Sequence, residues 1–387
     1  MMQLIQVVTE KDRRDFLRVP IVLYREDPFW IRPLDKDIEN VFTQKRNKFF
    51  RHGEAVRWVL KDAGGQLIGR VAAFINRKTS RTFSQPTGGM GFFECIDNRE
   101  AAFLLFDTCK KWLEERGMEA MDGPINFGER DRWWGLMVEG FFDPTYCMNY
   151  NPPYYRKLFE DYGFRTYFEQ YNYSMRVGDP LPPQYQEKSD RVSRNPLYHC
   201  EHIRKNRLEK YAMDFTSVYN KAWSRHENFK GMGKEQAMSI MNSIKPIMEE
   251  DLIWFAYYDN QPVGFFIMLP EINQVIKHLR GKLDLWGKLR FLWYRKTGAC
   301  RKMFGVAFGI VPEHQGKGLE GFIIMAAAKI IQPKNRYDDF EMTWIGDFNQ
   351  KMIHMVESIG GKKIRTYITY RKLFDESKPF ERAPMIK

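Results

Sequence analysis

The period of the apolar positions changes repeatedly along this chain, and it does so twice in the same order. Leu4 to Val8 alternates as a strand does, Thr9 stands as an N-cap, and Lys11 to Tyr24 sets Phe16, Val19, Val22 and Leu23 near one helix face. Glu54 to Lys61 and Leu67 to Ile75 predict two strands around Asp62-Ala63-Gly64-Gly65, a hairpin signature. In the second half, Lys205 to Trp223 is helical, with Leu208, Tyr211, Phe215 and Tyr219 as its apolar stripe. Leu252 to Tyr258 and Val263 to Leu269 again flank a turn, Asp259-Asn260-Gln261-Pro262. Phe16 and Tyr211, Tyr24 and Tyr219, and Gly69 and Gly264 all stand 195 positions apart. The strand at Phe93 likewise answers to that at Phe308, the strand ending at Phe127 to Glu341 through Ile345, and Phe159 through Phe164 to Val356 through Gly361. A period this long predicts a duplicated unit of strand, helix, hairpin, strand, helix, strand, helix, strand. The copies fall at residues 1–178 and 198–387. Between them, residues 179–197, with Asp179-Pro180-Leu181-Pro182-Pro183 and a polar run, read as a linker.

Met303 to Ile331 reads MFGVAFGIVPEHQGKGLEGFIIMAAAKII, which predicts a buried strand, a tight loop and a helix. In the loop Gln315-Gly316-Lys317-Gly318, two glycines let the backbone turn and approach a ligand, and Lys317 adds a positive charge. The helix presents its free N–H groups to the same place, so loop and helix end form an anion site suited to a phosphate or pyrophosphate. Strand, then Q/R-x-x-G-x-G/A, then helix resembles the acyl-CoA pyrophosphate loop of the GNAT acyltransferase superfamily, matched here at Gln315 and Gly318. Glu320 stands where that family usually has Gly or Ala, and is expected to point outward, because consecutive helical residues diverge by about 100°.

The resemblance extends over nearly the whole chain as a tandem pair. It implies an α/β (α+β) fold of two GNAT-like domains, each a mixed, largely antiparallel sheet flanked by helices. It implies acetyl-CoA or another acyl-CoA as cofactor, held by Ile310, Val311, Gln315, Gly316, Lys317, Gly318 and Leu319. Asn349 joins them, since in the family an Asn opening the next helix contacts the cofactor. In the first copy the strand Glu94 to Asp97 leads straight into the helix Ala101 to Arg116, with no glycine loop and with Asp97 and Glu100 near the helix start. Such a start repels pyrophosphate, so the cofactor is assigned to the second copy alone.

Composition narrows the partners. A formal charge of +12 favours anionic ones, but no zinc-finger or RNP-like motif appears and nucleic acid is not expected. The five cysteines are scattered without a C-x-x-C pair, and no cluster suggests a metal site. Neither a run of about 18 apolar residues nor a signal-peptide core is present, so a cytoplasmic location is expected.

The copies differ by two insertions. Between the hairpin glycine and the next strand the second copy carries about twenty extra residues within Glu271 to Lys302, rich in Lys, Arg, Leu and Trp. One reading is a lid over the acyl chain or a peripheral membrane contact, the other a surface helix pair packed on its own domain. The first copy's extra residues lie between Phe127 and Tyr154. There Glu129, Arg130, Arg132, Trp133, Asn149, Tyr150, Asn151 and Tyr154 suit recognition of a polar substrate, or else a salt-bridge network pinning the loop.

Acyl transfer from a thioester to an amine requires a deprotonated nucleophile and a protonated leaving group. The family's frequent acid, a Tyr in the last helix, is replaced by Val356 here and by Phe159 in the first copy, and the strand Gly305 to Val311 carries no carboxylate. His354, Tyr367, Tyr370 and Glu129 are the remaining candidates. The expected function is N-acyltransfer, acetyl first, to a small polar amine. Transfer of a longer acyl chain, or a non-catalytic acyl-CoA-binding or membrane-associated module, stands as the alternative.

Overall fold

The computed structural model describes residues 1–223 and 231–385. In it the apolar stripes become buried faces. Thr9 closes a capping box with Asp12 at the start of α1 (Glu10–Leu23), which buries Phe16 and Val19. The first copy continues as α2 (Asp35–Phe42), the hairpin of β2 (Gly53–Lys61) and β3 (Leu67–Asn76), then β4 (Thr87–Cys95), α3 (Arg99–Glu114), β5 (Ala120–Gly123), β6 (Leu136–Glu139), α4 (Tyr155–Asp161) and β7 (Arg165–Arg176), with β1 (Gln3–Gln6) at its start. Asn98 accepts from the Ala101 N–H and caps α3.

Residues 179–197 are more than a linker. Pro183 opens a helix, α5 (Pro183–Ser193), where its fixed φ and missing N–H are tolerated. Tyr185, Ser189 and Val192 form its buried face. The second copy follows as β8 (Tyr198–His202), α6 (Leu208–Trp223), α7 (Lys234–Ile244), β9 (Ile253–Tyr258), β10 (Gln261–Pro270), α8 (Asn273–Ile276), α9 (Leu285–Lys296), β11 (Lys302–Ile310), α10 (Leu319–Ile331), β12 (Asp339–Gly346), α11 (Gln350–Ser358) and β13 (Lys362–Leu373). Its hairpin turns tighter than expected. Asp259 and Asn260 alone take positive φ, and Gln261 already pairs with Tyr258.

Both copies share one sheet, in the order β1-β2-β3-β4-β5-β13-β7-β12-β11-β10-β9-β8, with β6 also on β13. The final strands are exchanged. β13 of the second copy lies antiparallel between β5 and β7 of the first, and β7 lies antiparallel against β12 of the second. At this crossing Arg365 and Glu341, both fully buried, pair with each other. Asn172 Nδ2 donates to Glu341 Oε1 at 2.8 Å and the Arg365 guanidinium to the Asp143 carbonyl at 2.5 Å. Buried charges survive only with such partners.

Candidate functional site

Equivalent strands of the two copies differ most in exposure. β4 is buried throughout except at Phe92, whereas Phe304 to Phe308 of β11 are half-exposed and Val306 is 49% exposed. Each strand starts parallel to its neighbour, β4 to β5 as far as Gly89 and β11 to β12 as far as Gly305. In the first copy the chain then folds back over the gap. Ile125 N–H donates to the Met90 carbonyl at 2.8 Å, and a Cβ on Gly91 would lie 1.8 Å from the Ile125 oxygen. In the second copy β12 turns away instead. Its pairing with β7 shifts between Met342 and Ile345, and Trp344 takes φ +72° there. Among the described residues no strand pairs with β11 on that side beyond Gly305. A bulge places Val306 between the pairs Ile267–Ala307 and Met268–Gly305, so unpaired backbone of β11 lines an open groove.

The groove runs to the glycine loop. Gly316 and Gly318 take φ of +71° and +90°, the left-handed region that the loop requires. Gly318 begins α10 without a side-chain cap, so the first N–H groups of that helix remain for an anion. Gln315 braces the loop, its Nε2 donating to the Ile310 carbonyl at 2.9 Å, and Ile310, Val311 and Leu319 are buried beneath it. Asn349 caps its own helix by accepting from the Met352 N–H. Lys317 is exposed at the edge of a cleft of about 660 Å³ that Arg191, Tyr198, Tyr258 and His314 also line. Burial and Lys317 both lower the pKa of His314, whose Nδ1 shares a 2.7 Å hydrogen bond with the Tyr198 hydroxyl.

Helix α5 completes this site. Its Arg191 guanidinium approaches within 3.0 Å of where a Gly318 Cβ would stand, and Lys188 Nζ holds Glu320 Oε1 at 3.0 Å. Glu320 is thus turned to α5 with its charge compensated. The uncapped helix end, Lys317 and Arg191 fit the pyrophosphate of an acyl-CoA. Arg191 and Lys188 were not among the residues expected from sequence. The signal was Pro183 followed by apolar positions at helical spacing.

An apolar cavity lies behind the groove, lined by Met268, Met303, Ile324, Ala328, Ile331 and Phe340 among others. The Phe266 ring also lines it, 5.5 Å from the Phe308 ring and 5.9 Å from Phe340. The cavity is about 60 Å³, room for a few methylene groups, and Leu181 and Gln332 also line it.

The first-copy loop is pinned by its own contacts. Trp133, Asn149, Tyr150 and Asn151 line a cavity together with the buried Arg70 and Glu94, and Asn273 of the second half also lines it. Asn149 Nδ2 donates to the Gly135 carbonyl, Asn151 bridges Met137 on both sides, and the Tyr150 hydroxyl donates to Asp27. The Tyr154 hydroxyl donates to the Cys95 carbonyl, and Arg130 stacks on Trp134 and Phe168. Arg132 lies beside Asp131 and the Tyr146 ring. Glu129 is exposed, pairs with Lys48 at 2.8 Å, and its charge adds to burial in raising the pKa of Tyr219 on α6. The loop reaches the second half where the Tyr146 N–H donates to Glu271 and Asn273 Nδ2 donates to the Pro144 carbonyl.

The other acid–base candidates are dispersed. His354 is exposed on α11. Tyr367 and Tyr370 are fully buried on opposite faces of β13, Tyr370 donating to Glu160 at 3.0 Å. Among the described residues the Tyr367 hydroxyl finds no hydrogen-bond partner, and burial raises its pKa. Of the stretch Glu271 to Lys302, the ends are structural. Glu271 is buried and accepts from the Tyr146 and Asn273 N–H groups, and Lys302 belongs to β11, which leaves α9 at the surface. Among the described residues no helix is long and apolar enough to cross a membrane.

Known proteins agree with this architecture. The chain is 27% identical over 377 residues to the bacterial ceramide synthase of Caulobacter vibrioides (strain NA1000 / CB15N), covering 96% of this chain and 97% of that protein. It is 26% identical over 370 residues to protein YghO of Escherichia coli (strain K12), covering 94% of each. Among solved structures, a tandem GNAT protein from the clavulanic acid biosynthesis pathway, without acetyl-CoA, superposes with a TM-score of 0.57 at 10% identity, over 98% of this chain and all of that one. No family model matches the chain. The fold is the tandem GNAT-like one that the loop and the repeat predict.

Proposed function

We propose that this chain makes an amide, transferring a long acyl group from acyl-CoA to the amine of a long-chain amino alcohol. The observation that carries the reading is the half-exposed β11, whose Met303 lines an apolar cavity and whose far end leads to the uncapped start of α10. The thioester would supply the activated acyl group. Lys317, Arg191 and the first N–H groups of α10 would hold the pyrophosphate, and the unpaired backbone of β11 past Gly305 would receive the amide-bearing arm.

The cavity favours a long chain over the acetyl group expected from the sequence. Apolar walls stabilise hydrocarbon by about 0.8 kcal/mol per buried methylene, whereas an acetyl group would leave them unused. The resemblance to a ceramide synthase, over nearly the full length of both chains, supports the same bond, since ceramide is an N-acyl amino alcohol.

Calorimetry with palmitoyl-CoA and acetyl-CoA tests this. One palmitoyl-CoA per chain should bind at least about tenfold more tightly than acetyl-CoA. Equal affinities would refute the long chain. If neither binds, acyl transfer itself is refuted. Incubation with palmitoyl-CoA and a long-chain 2-amino-1,3-diol should yield the amide by mass spectrometry.

A further inference from the structure

Helix α9 turns its apolar face away from the protein. Leu285, Trp286, Leu289, Leu292 and Trp293 are between 51% and 73% exposed. At about 100° per residue these five fall within an arc of about 120°. The opposite face carries Gly287, Phe291 and Tyr294. Gly287 is buried where a Cβ would meet the Lys282 carbonyl oxygen at 2.4 Å, Phe291 packs on the cluster of Ile31, Leu34 and Ile276, and Tyr294 stacks on His278 with centroids 4.0 Å apart. The helix is therefore held firmly by its polar-to-aromatic back. Arg295 adds a clamp, its guanidinium donating to the Pro246 and Ile247 carbonyls. Packing thus accounts for the wrong side of the stripe, and the two tryptophans and three leucines remain in water.

Charge identifies what would cover them. On the same wheel Lys288 lies just beyond one edge of the apolar arc and Arg290 just beyond the other, with Lys296 at its C-terminal end. Lys282, Lys288, Arg290 and Lys296 are exposed, and among the described residues none of them forms an ion pair. The nearest acid, Asp284, is engaged in capping the helix through Gly287 N–H. An apolar stripe of Trp and Leu bordered on both sides by unpaired cations matches the boundary between acyl chains and anionic headgroups.

We propose that α9 docks this protein on an anionic lipid bilayer, the two tryptophans entering the headgroup boundary and Lys282, Lys288, Arg290 and Lys296 meeting lipid phosphates. The inference stands on α9 alone and does not require the acyltransferase reading. A protein lying on the bilayer would meet a long-chain amine where such a molecule resides.

The full chain is sedimented with vesicles of phosphatidylcholine, with and without phosphatidylglycerol, in the absence of CoA. It should bind the anionic vesicles, about tenfold or more above the neutral ones at low salt, and release with added salt. Trp286→Ser with Trp293→Ser should weaken that binding by about tenfold or more, and Lys288→Glu with Arg290→Glu should reverse the preference for anionic lipid. Circular dichroism and CoA titration of the same variants should match the parent, since both faces changed are solvent-exposed. Tryptophan variants that sediment like the parent, or equal binding to both kinds of vesicle, would overturn the proposal. So would a parent that ignores vesicles but forms a dimer that the tryptophan changes dissolve, which would assign the face to a second copy of this chain.

Discussion

Lys188 of α5 holds Glu320 of α10 at 3.0 Å, so a residue from the segment between the two copies neutralises the one carboxylate in the first turn of the anion-binding helix. Glu320→Ala should leave CoA affinity within about twofold at low and high salt. Lys188→Ala should weaken it several-fold at low salt by releasing that charge toward the loop, and the double variant should recover. Calorimetry at two salt concentrations separates the cases. A salt-dependent gain from Glu320→Ala alone would mean the carboxylate faces the ligand.

Gly318 sits at φ +90° with Arg191 3.0 Å from its missing Cβ. Gly318→Val should therefore cost about 1–3 kcal/mol of stability and abolish CoA binding, because the side chain strains the loop and occupies the approach to the helix end. A folded Gly318→Val variant that binds CoA like the parent would move the cofactor elsewhere.

The exchange of β7 and β13 makes the copies dependent on each other. Residues 1–178 expressed alone would leave the β5 edge, β6 and both edges of β7 without their partners. Unpaired strands of this kind aggregate or swap. Size-exclusion chromatography should show this half aggregated or self-associated, and soluble only with residues 179–387 present. A stable folded monomer of 1–178 would contradict the dependence.

Glu271 is buried, and its pKa is pushed up to about 8 from an ordinary value near 4.5, despite the N–H bonds from Asn273 and Tyr146. Between these values the unfolded chain has released this proton while the folded chain retains it. Stability from this group is therefore complete below about pH 4.5 and is lost as pH rises toward 8. Thermal melting from pH 5 to 8 should show the parent losing ground against Glu271→Gln. Parallel curves would indicate an ordinary pKa.

Tyr367 and Tyr370 offer a matched pair on one strand. Tyr367→Phe removes a buried hydroxyl without a partner and should leave stability unchanged or slightly higher. Tyr370→Phe removes the bond to Glu160 and should cost about 1 kcal/mol. Chemical denaturation of both variants gives the comparison, and a larger loss at Tyr367 would reveal a partner for its hydroxyl.

The elements of this fold were legible in the sequence because each depends on local periodicity and capping. Thr9, Asn98 and the stripe from Leu208 to Tyr219 act within one or two helical turns. The anion loop was legible for the same reason, since Gly316, Gly318 and the start of α10 are contiguous. Other features required the packed chain. Periodicity is blind to partners, so β13 was readable as a strand but its place between β5 and β7 was not. Lys188 and Arg191 reach the loop only because Gly321 lets α5 cross close over α10, where a Cβ would meet Lys188 at 2.8 Å. The groove itself is an absence of pairing. β4 and β11 carry similar apolar runs, and only the fold-back at Ile125 and the departure of β12 at Trp344 bury one while leaving the other open.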